Sequence, residues 1–196
     1  MTSTSFLETL ARRISALRCQ SLTGQYFVPK LSLREHLTSQ VISQAVVELD
    51  CPPEDRIGLA EAIERSLLLT FSVLLWIRNA AAIVKFWRSG HLDEKLPISE
   101  VEAKLIIPDS GTLFFQEQYQ FKPHFFVLYG DYEIKQAVIL PFIREIGTID
   151  SGGFGEIAKV EIHPLSQNFV SRPVRKQFDL DTHRSGISCV YRTALS

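Results

Sequence analysis

Over the first hundred positions apolar residues return every three to four places. After Ser5 they are Leu7, Leu10, Ala11, Ile14 and Leu17; after Ser32 they are Leu37, Val41, Ala45 and Leu49. Such spacing lines one face of an α-helix. Ser5, Ser32 and Ser99 are each followed three residues later by a glutamate (Glu8, Glu35, Glu102). In that pattern the hydroxyl accepts from the first helical turn and the carboxylate reaches back to the capping amide. Cys51-Pro52-Pro53 interrupts the periodicity, and Pro53 with Glu54 and Asp55 suits a new first turn. From Glu54 to about Trp87 the chain is apolar on most faces past Ile63. This predicts a buried central helix or helix pair, ended by Gly90. Trp76 and Trp87, eleven apart, are expected on one face of it as core residues.

The character changes at Pro108-Asp-Ser-Gly111, after which Phe114, Phe115, Tyr119, Phe121, Phe125, Phe126, Tyr129 and Tyr132 crowd the chain. Phe115, Glu117, Tyr119 and Phe121 alternate with Gln116, Gln118 and Gln120, a pattern that fits helix and strand alike. A β-rich part is expected from near Lys135, with strands at about 137–150, 155–163 and 173–179. The predicted class is therefore α+β. A helical N-terminal region (1–110) leads through an aromatic connector (111–136) to an antiparallel sheet (137–180) and an irregular tail (181–196).

Composition alters this little. The 196 residues carry a net charge of −1, 45% hydrophobic and 22% charged residues, as ordinary globular chains do. A strongly basic nucleic-acid binder is thereby excluded in bulk. Arg172, Arg175, Lys176, Arg184 and Arg192 outnumber Asp179 and Asp181 near the end, which reads as a solvated segment. Cys19, Cys51 and Cys189 show neither CxxC spacing nor an even count, so an intracellular, cytoplasmic or nuclear location is expected. Cys19 is taken as a packed residue of the first helix. The apolar run Leu67–Ile77, closed by Arg78 and Asn79, is too short to span a bilayer. The five histidines are scattered, and no metal site is expected.

The richest chemical signal is Asp150-Ser-Gly-Gly-Phe-Gly-Glu-Ile157, with apolar residues 137–140 before it and Ile157, Val160 and Ile162 after it. Glycines let backbone N–H groups approach phosphate oxygens because no Cβ holds them away. A dinucleotide-binding loop would have to open a helix. The β-branched residues after Gly155, followed by His163-Pro164, predict a second strand instead, so that reading fails on context. A hairpin turn with no ligand is the bland alternative. Against it stands Pro173-Val-Arg-Lys176-Gln-Phe178, a lysine inside the expected third strand.

Glycine hairpin, strand, loop and strand with lysine resemble the opening of a protein-kinase small lobe, over about residues 137–180. Gly152 and Gly155 match the second and third glycines of GxGxxGxV, and Ile157 matches its valine. The segments around Gln118–Phe125, Ile139–Phe142, Gly152–Gly155 and Val160–Pro164, with Gly90–Pro97 further upstream, look like a group of fungal kinase-like proteins. The resemblance implies ATP as ligand, held by Gly152, Gly153, Phe154, Gly155 and Ile157, with Lys176 on the α- and β-phosphates. It implies serine or threonine phosphorylation, with Mg only in a complete parent kinase.

The chain also departs from that pattern. Asp150 replaces the first glycine, where it suits a turn cap; Pro173 and Val174 stand in the lysine strand. No glutamate follows Glu161, and the 20 residues after Lys176 hold no HRD or DFG motif. Catalytic residues are therefore none, and the chain is expected to be inactive alone, as the truncated N-terminal part of a kinase. The alternative is a helical adaptor, whose apolar stretch from Ile63 to Trp87 meets a protein partner, with a vestigial nucleotide hairpin.

Overall fold

The structure is a computed structural model that describes residues 5–127, 138–152, 155–168 and 188–193. The chain forms two compact units. Residues 1–19 and 27–122 make the helical unit; residues 20–26 and 123–196 make the second. The division thus falls after Lys122 rather than near 110, because the ambiguous aromatic stretch folds as a helix.

The helical unit begins with α1 (Phe6–Ala16). A two-residue strand pair follows, β1 (Cys19–Gln20) and β2 (Tyr26–Phe27). Cys19 thus belongs to a strand and not to the first helix. Next come α2 (Lys30–His36), α3 (Ser39–Val47), α4 (Arg56–Ser66), α5 (Leu68–Trp76) and α6 (Ile83–Arg88). Then α7 (Glu100–Ile106) and α8 (Gly111–Phe121) complete the unit.

Every residue of α5 from Leu68 to Leu75 is buried. Both α1 and α8 pack on it, α3 packs on α4, and α7 on α8. The apolar run that motivates a partner-binding helix is thus largely consumed as this unit's own core. That is the physical reason it is apolar all round.

Local signals account for several boundaries. The Ser99–Glu102 capping box forms in full. At Ser5 the hydroxyl does cap α1, but the carboxylate that completes the cap is Glu48, taking Ser5 Oγ at 2.6 Å and Phe6 N at 3.1 Å. Glu8 instead pairs with Arg12 at 2.9 Å. The Ser32 expectation is corrected: Ser32 lies inside α2, and Thr38 caps a separate α3. The predicted central helix or helix pair is likewise three helices, so Trp76 and Trp87 sit on α5 and α6 rather than on one face.

At the end of α6 Gly90 adopts φ +65°, Gly90 N–H bonds Trp87 O and His91 N–H bonds Phe86 O. This left-handed residue satisfies two otherwise orphaned carbonyls. Arg78 does the same after α5 with φ 60°, its neighbour Asn79 donating to Leu74 O at 2.8 Å.

The second unit holds β3 (Phe142–Gly152), β4 (Gly155–Ile162) and β5 (Ser188–Thr193), antiparallel in the order β3-β4-β5. Phe126, Phe142, Val160 and Ile162 form its small core, with Leu140 against them. The rings of Phe126 and Phe142 stack at 5.7 Å. Leu22 N–H bonds Phe142 O at 2.7 Å, which is why residues 20–26 belong to this unit.

One expectation is corrected here. The tail is not irregular throughout, since Ser188–Thr193 pairs along β4 from Glu156↔Thr193 to Glu161↔Ser188. Cys189, Val190, Tyr191 and Thr193 suit a strand, and the N–H and C=O groups on the edge of β4 require a partner. The neighbour of β4 opposite β3 is thus this segment. The expected strand at 173–179 lies outside the described residues.

Candidate functional site

The expected glycine loop is the closed end of the β3–β4 hairpin. Gly152 stands opposite Gly155, and Ile157 lies between Asp150 of β3 and Arg192 of β5. Gly153 and Phe154 at the tip, and Lys176, lie outside the described residues. The hairpin therefore brings Gly152, Gly155 and Ile157 together on one ribbon. Asp150 is a ladder residue two places before Gly152. The strand after Gly155 runs eight residues, so the loop opens a strand and not a helix.

The hairpin is irregular along β3. Its register steps between Phe142 and Arg144, Glu145 and Gly147, and Thr148 and Asp150. The skipped residues are Ile143, Ile146 and Ile149. Each is a bulge, and bulges add twist to a ribbon. Near the base, Arg144 pairs with Glu161 at 2.8 Å, the carboxylate only 17% exposed.

Two histidines flank the entry to β3. His124 N–H bonds Ile139 O and His163 N–H bonds Pro141 O, both at 2.9 Å. Nδ1 of His163 accepts from Leu165 N–H at 3.3 Å, which requires a neutral ring. Burial holds both imidazoles below the ordinary histidine value.

In the helical unit sequence reasoning missed Asp93, a partly buried acid. Its carboxylate accepts Leu69 N–H at 2.8 Å, and Thr70 N–H and Thr70 Oγ1 at 2.9 Å each. Burial pushes this carboxyl up, and the three hydrogen bonds pull it the other way. The ammonium of Lys122 donates to the carbonyls of Asp93, Glu94 and Leu96, and desolvation lowers it. With three donors already taken, Asp93 holds the start of α5 rather than a substrate.

An open cleft of about 530 Å³ is lined by Leu7, Glu8, Leu75, Arg78, Ala80 and Ala81, among others. Arg78 donates to Glu8 O at 3.4 Å. Burial raises both Cys19 and Cys51, leaving their thiols less reactive. Among the described residues no three His, Cys, Asp or Glu side chains converge as a metal site, and no helix is long and apolar enough to cross a membrane.

Comparison with family models, with curated proteins and with solved structures finds no match for this chain.

Proposed function

We propose that this chain is a protein-kinase-like protein whose β3–β4 hairpin covers the phosphates of ATP. One observation carries the reading. Gly152 faces Gly155 at the closed end of the β3–β4 hairpin, and the chain continues from it as a strand. That is the context in which a glycine-rich loop lays backbone N–H groups over a triphosphate. In this reading the amides around Gly153 meet the phosphates, Phe154 closes the tip, Ile157 borders the base, and Lys176 adds its ammonium to the α- and β-phosphates. Within these 196 residues no HRD or DFG motif supplies a proton acceptor or a magnesium ligand. The activity assigned to the chain is therefore nucleotide binding without phosphoryl transfer.

The test is titration of the full chain and of Lys176→Ala with a fluorescent ATP analogue, with unlabelled ATP as competitor. Native protein binds, and loss of a charge-assisted contact weakens Lys176→Ala about tenfold or more. If neither protein binds at millimolar nucleotide, or both bind equally, the assignment fails.

A further inference from the structure

We infer that the helical unit carries a self-association surface: the cleft between α3 and α4 takes α4 of a second copy of this chain, turned antiparallel about a two-fold axis between Gly58 and Leu59. The inference is independent of the nucleotide reading.

Helices α3 and α4 pack on each other and run in opposite directions. At one end Ser39 Oγ donates to Glu64 Oε1 at 2.7 Å; at the other, Val47 and Ile57 line the same cleft of about 440 Å³. One helical turn in from Ser39 and Glu64, the walls of the cleft are Ser43 and Ala60. Both are small, and they leave a hollow. A side chain from a third helix seats in such a hollow as a knob between residues of the two walls.

Val47 is 58% and Ile57 75% exposed. Single exposed apolar side chains are ordinary on any surface. Here two of them, on adjacent helices, stand at the same end of one cleft and border the hollow. The occupant that covers them is itself aliphatic. Charge narrows it further, because Arg56 comes directly before Ile57 and Glu61 one turn after it, both in the cleft. A complementary helix carries an aliphatic residue with an acid and a base in the reverse order. An antiparallel copy of α4 is such a helix.

With the axis between Gly58 and Leu59, Ile57 of each copy meets Ala60 of the other, beside its Ser43. Arg56 of each copy meets Glu61 of the other. The contact is isologous, each pair occurring twice. Ile57, Ala60 and Val47 of both copies form its centre, and two Arg–Glu pairs form its rim. The rim charges are only loosely held within one copy: Arg56 Nε donates to Cys51 O at 3.4 Å, and Glu61 meets Arg65 at 3.5 Å. Neighbouring registers fail. A slide of one turn sets Ile57 against Glu64 and Arg56 against Arg65; one turn the other way leaves Glu61 facing Pro52. Charge thus selects both the occupant and its register.

The test is sedimentation equilibrium of the full chain from about 5 to about 500 µM, a range that brackets the weak affinity of so small an interface. Native protein shifts from monomer to dimer across it. Ile57→Glu, at a position too exposed to disturb folding, stays monomeric throughout, whereas Leu105→Glu, at an equally exposed apolar position on α7 (78%), dimerises as native protein does. Arg56→Glu alone sets like charges face to face and weakens the dimer about fivefold or more, and adding Glu61→Arg restores it to within about twofold. Native protein that stays monomeric at the highest concentration overturns the proposal and leaves the cleft to some other occupant. A dimer that survives Ile57→Glu, or one that Leu105→Glu abolishes, overturns it by placing the contact elsewhere. A double variant no better than Arg56→Glu overturns the register.

Discussion

Gly111→Ala is the sharpest test of the helical unit. A Cβ at Gly111 would lie 2.6 Å from both Lys104 Cα and Lys104 N, and 2.8 Å from Ala103 C. Carbon atoms rest at about 3.5–4.0 Å, so α7 has to retreat by roughly 1 Å. The obstacle is helix backbone, and no rotamer change relieves it. A retreat of that size strains what ties α7 and its N-terminal lead to α8. Gln118 bridges Ile98 N and Ile98 O at 2.8 Å each, and Thr112 Oγ1 donates to Glu100 at 2.9 Å. Overpacking costs about 1–3 kcal/mol, and each weakened hydrogen bond about 0.5–1.5 kcal/mol. Alanine's advantage over glycine within a helix offsets at most about 1 kcal/mol. A net loss of about 2–4 kcal/mol is expected.

Urea unfolding followed by tryptophan fluorescence measures it, since Trp76 and Trp87 both lie in this unit. Gly58→Ala, within α4, is the control: its Cβ meets only the Trp87 ring, Cζ2 at 3.4 Å and Cη2 at 3.7 Å, so native or slightly higher stability is expected. A Gly111→Ala protein as stable as native would refute the α7–α8 packing.

Asp93→Ala removes the acceptor of three hydrogen bonds at the start of α5 and should cost about 2–4 kcal/mol in the same assay, with Asp93→Asn intermediate. Arg78→Gly should raise stability by about 1 kcal/mol, because φ 60° suits glycine and the contact given up, to Glu8 O, is long; a fall in the urea midpoint would contradict this. In the second unit burial depresses His124 and His163, so the folded state binds their protons less readily than the unfolded chain does. Their contribution is complete above the ordinary value of 6.5 and is lost as pH falls through the depressed values. Hydrogen exchange of β3–β4 amides, corrected for intrinsic rates, should show weaker protection at about pH 5.5 than at about pH 7.5. Equal protection would remove the histidines from the account.

What the linear chain determined is whatever is decided within one turn of structure. The Ser99 capping box, the Gly90 stop and the glycine hairpin with strands on both sides are local events. Each is written in residues a few positions apart, and each is found in the fold. Helical periodicity also marked the unit's core, because an amphipathic or wholly apolar helix has to bury that surface somewhere. Periodicity could not reveal the break at Leu37–Thr38, since two short helices packed on one core keep the same stripe. It also left residues 115–121 ambiguous until packing on α5 made them α8.

Only tertiary structure decided the rest. The carboxylate that completes α1's cap comes from Glu48, 42 residues past Phe6, and α5's cap comes from Asp93, 24 past Leu69. The strand beside β4 comes from Ser188–Thr193. These partners meet because buried N–H, C=O and strand edges must be satisfied by whatever the fold brings near. Sequence separation carries no trace of that choice.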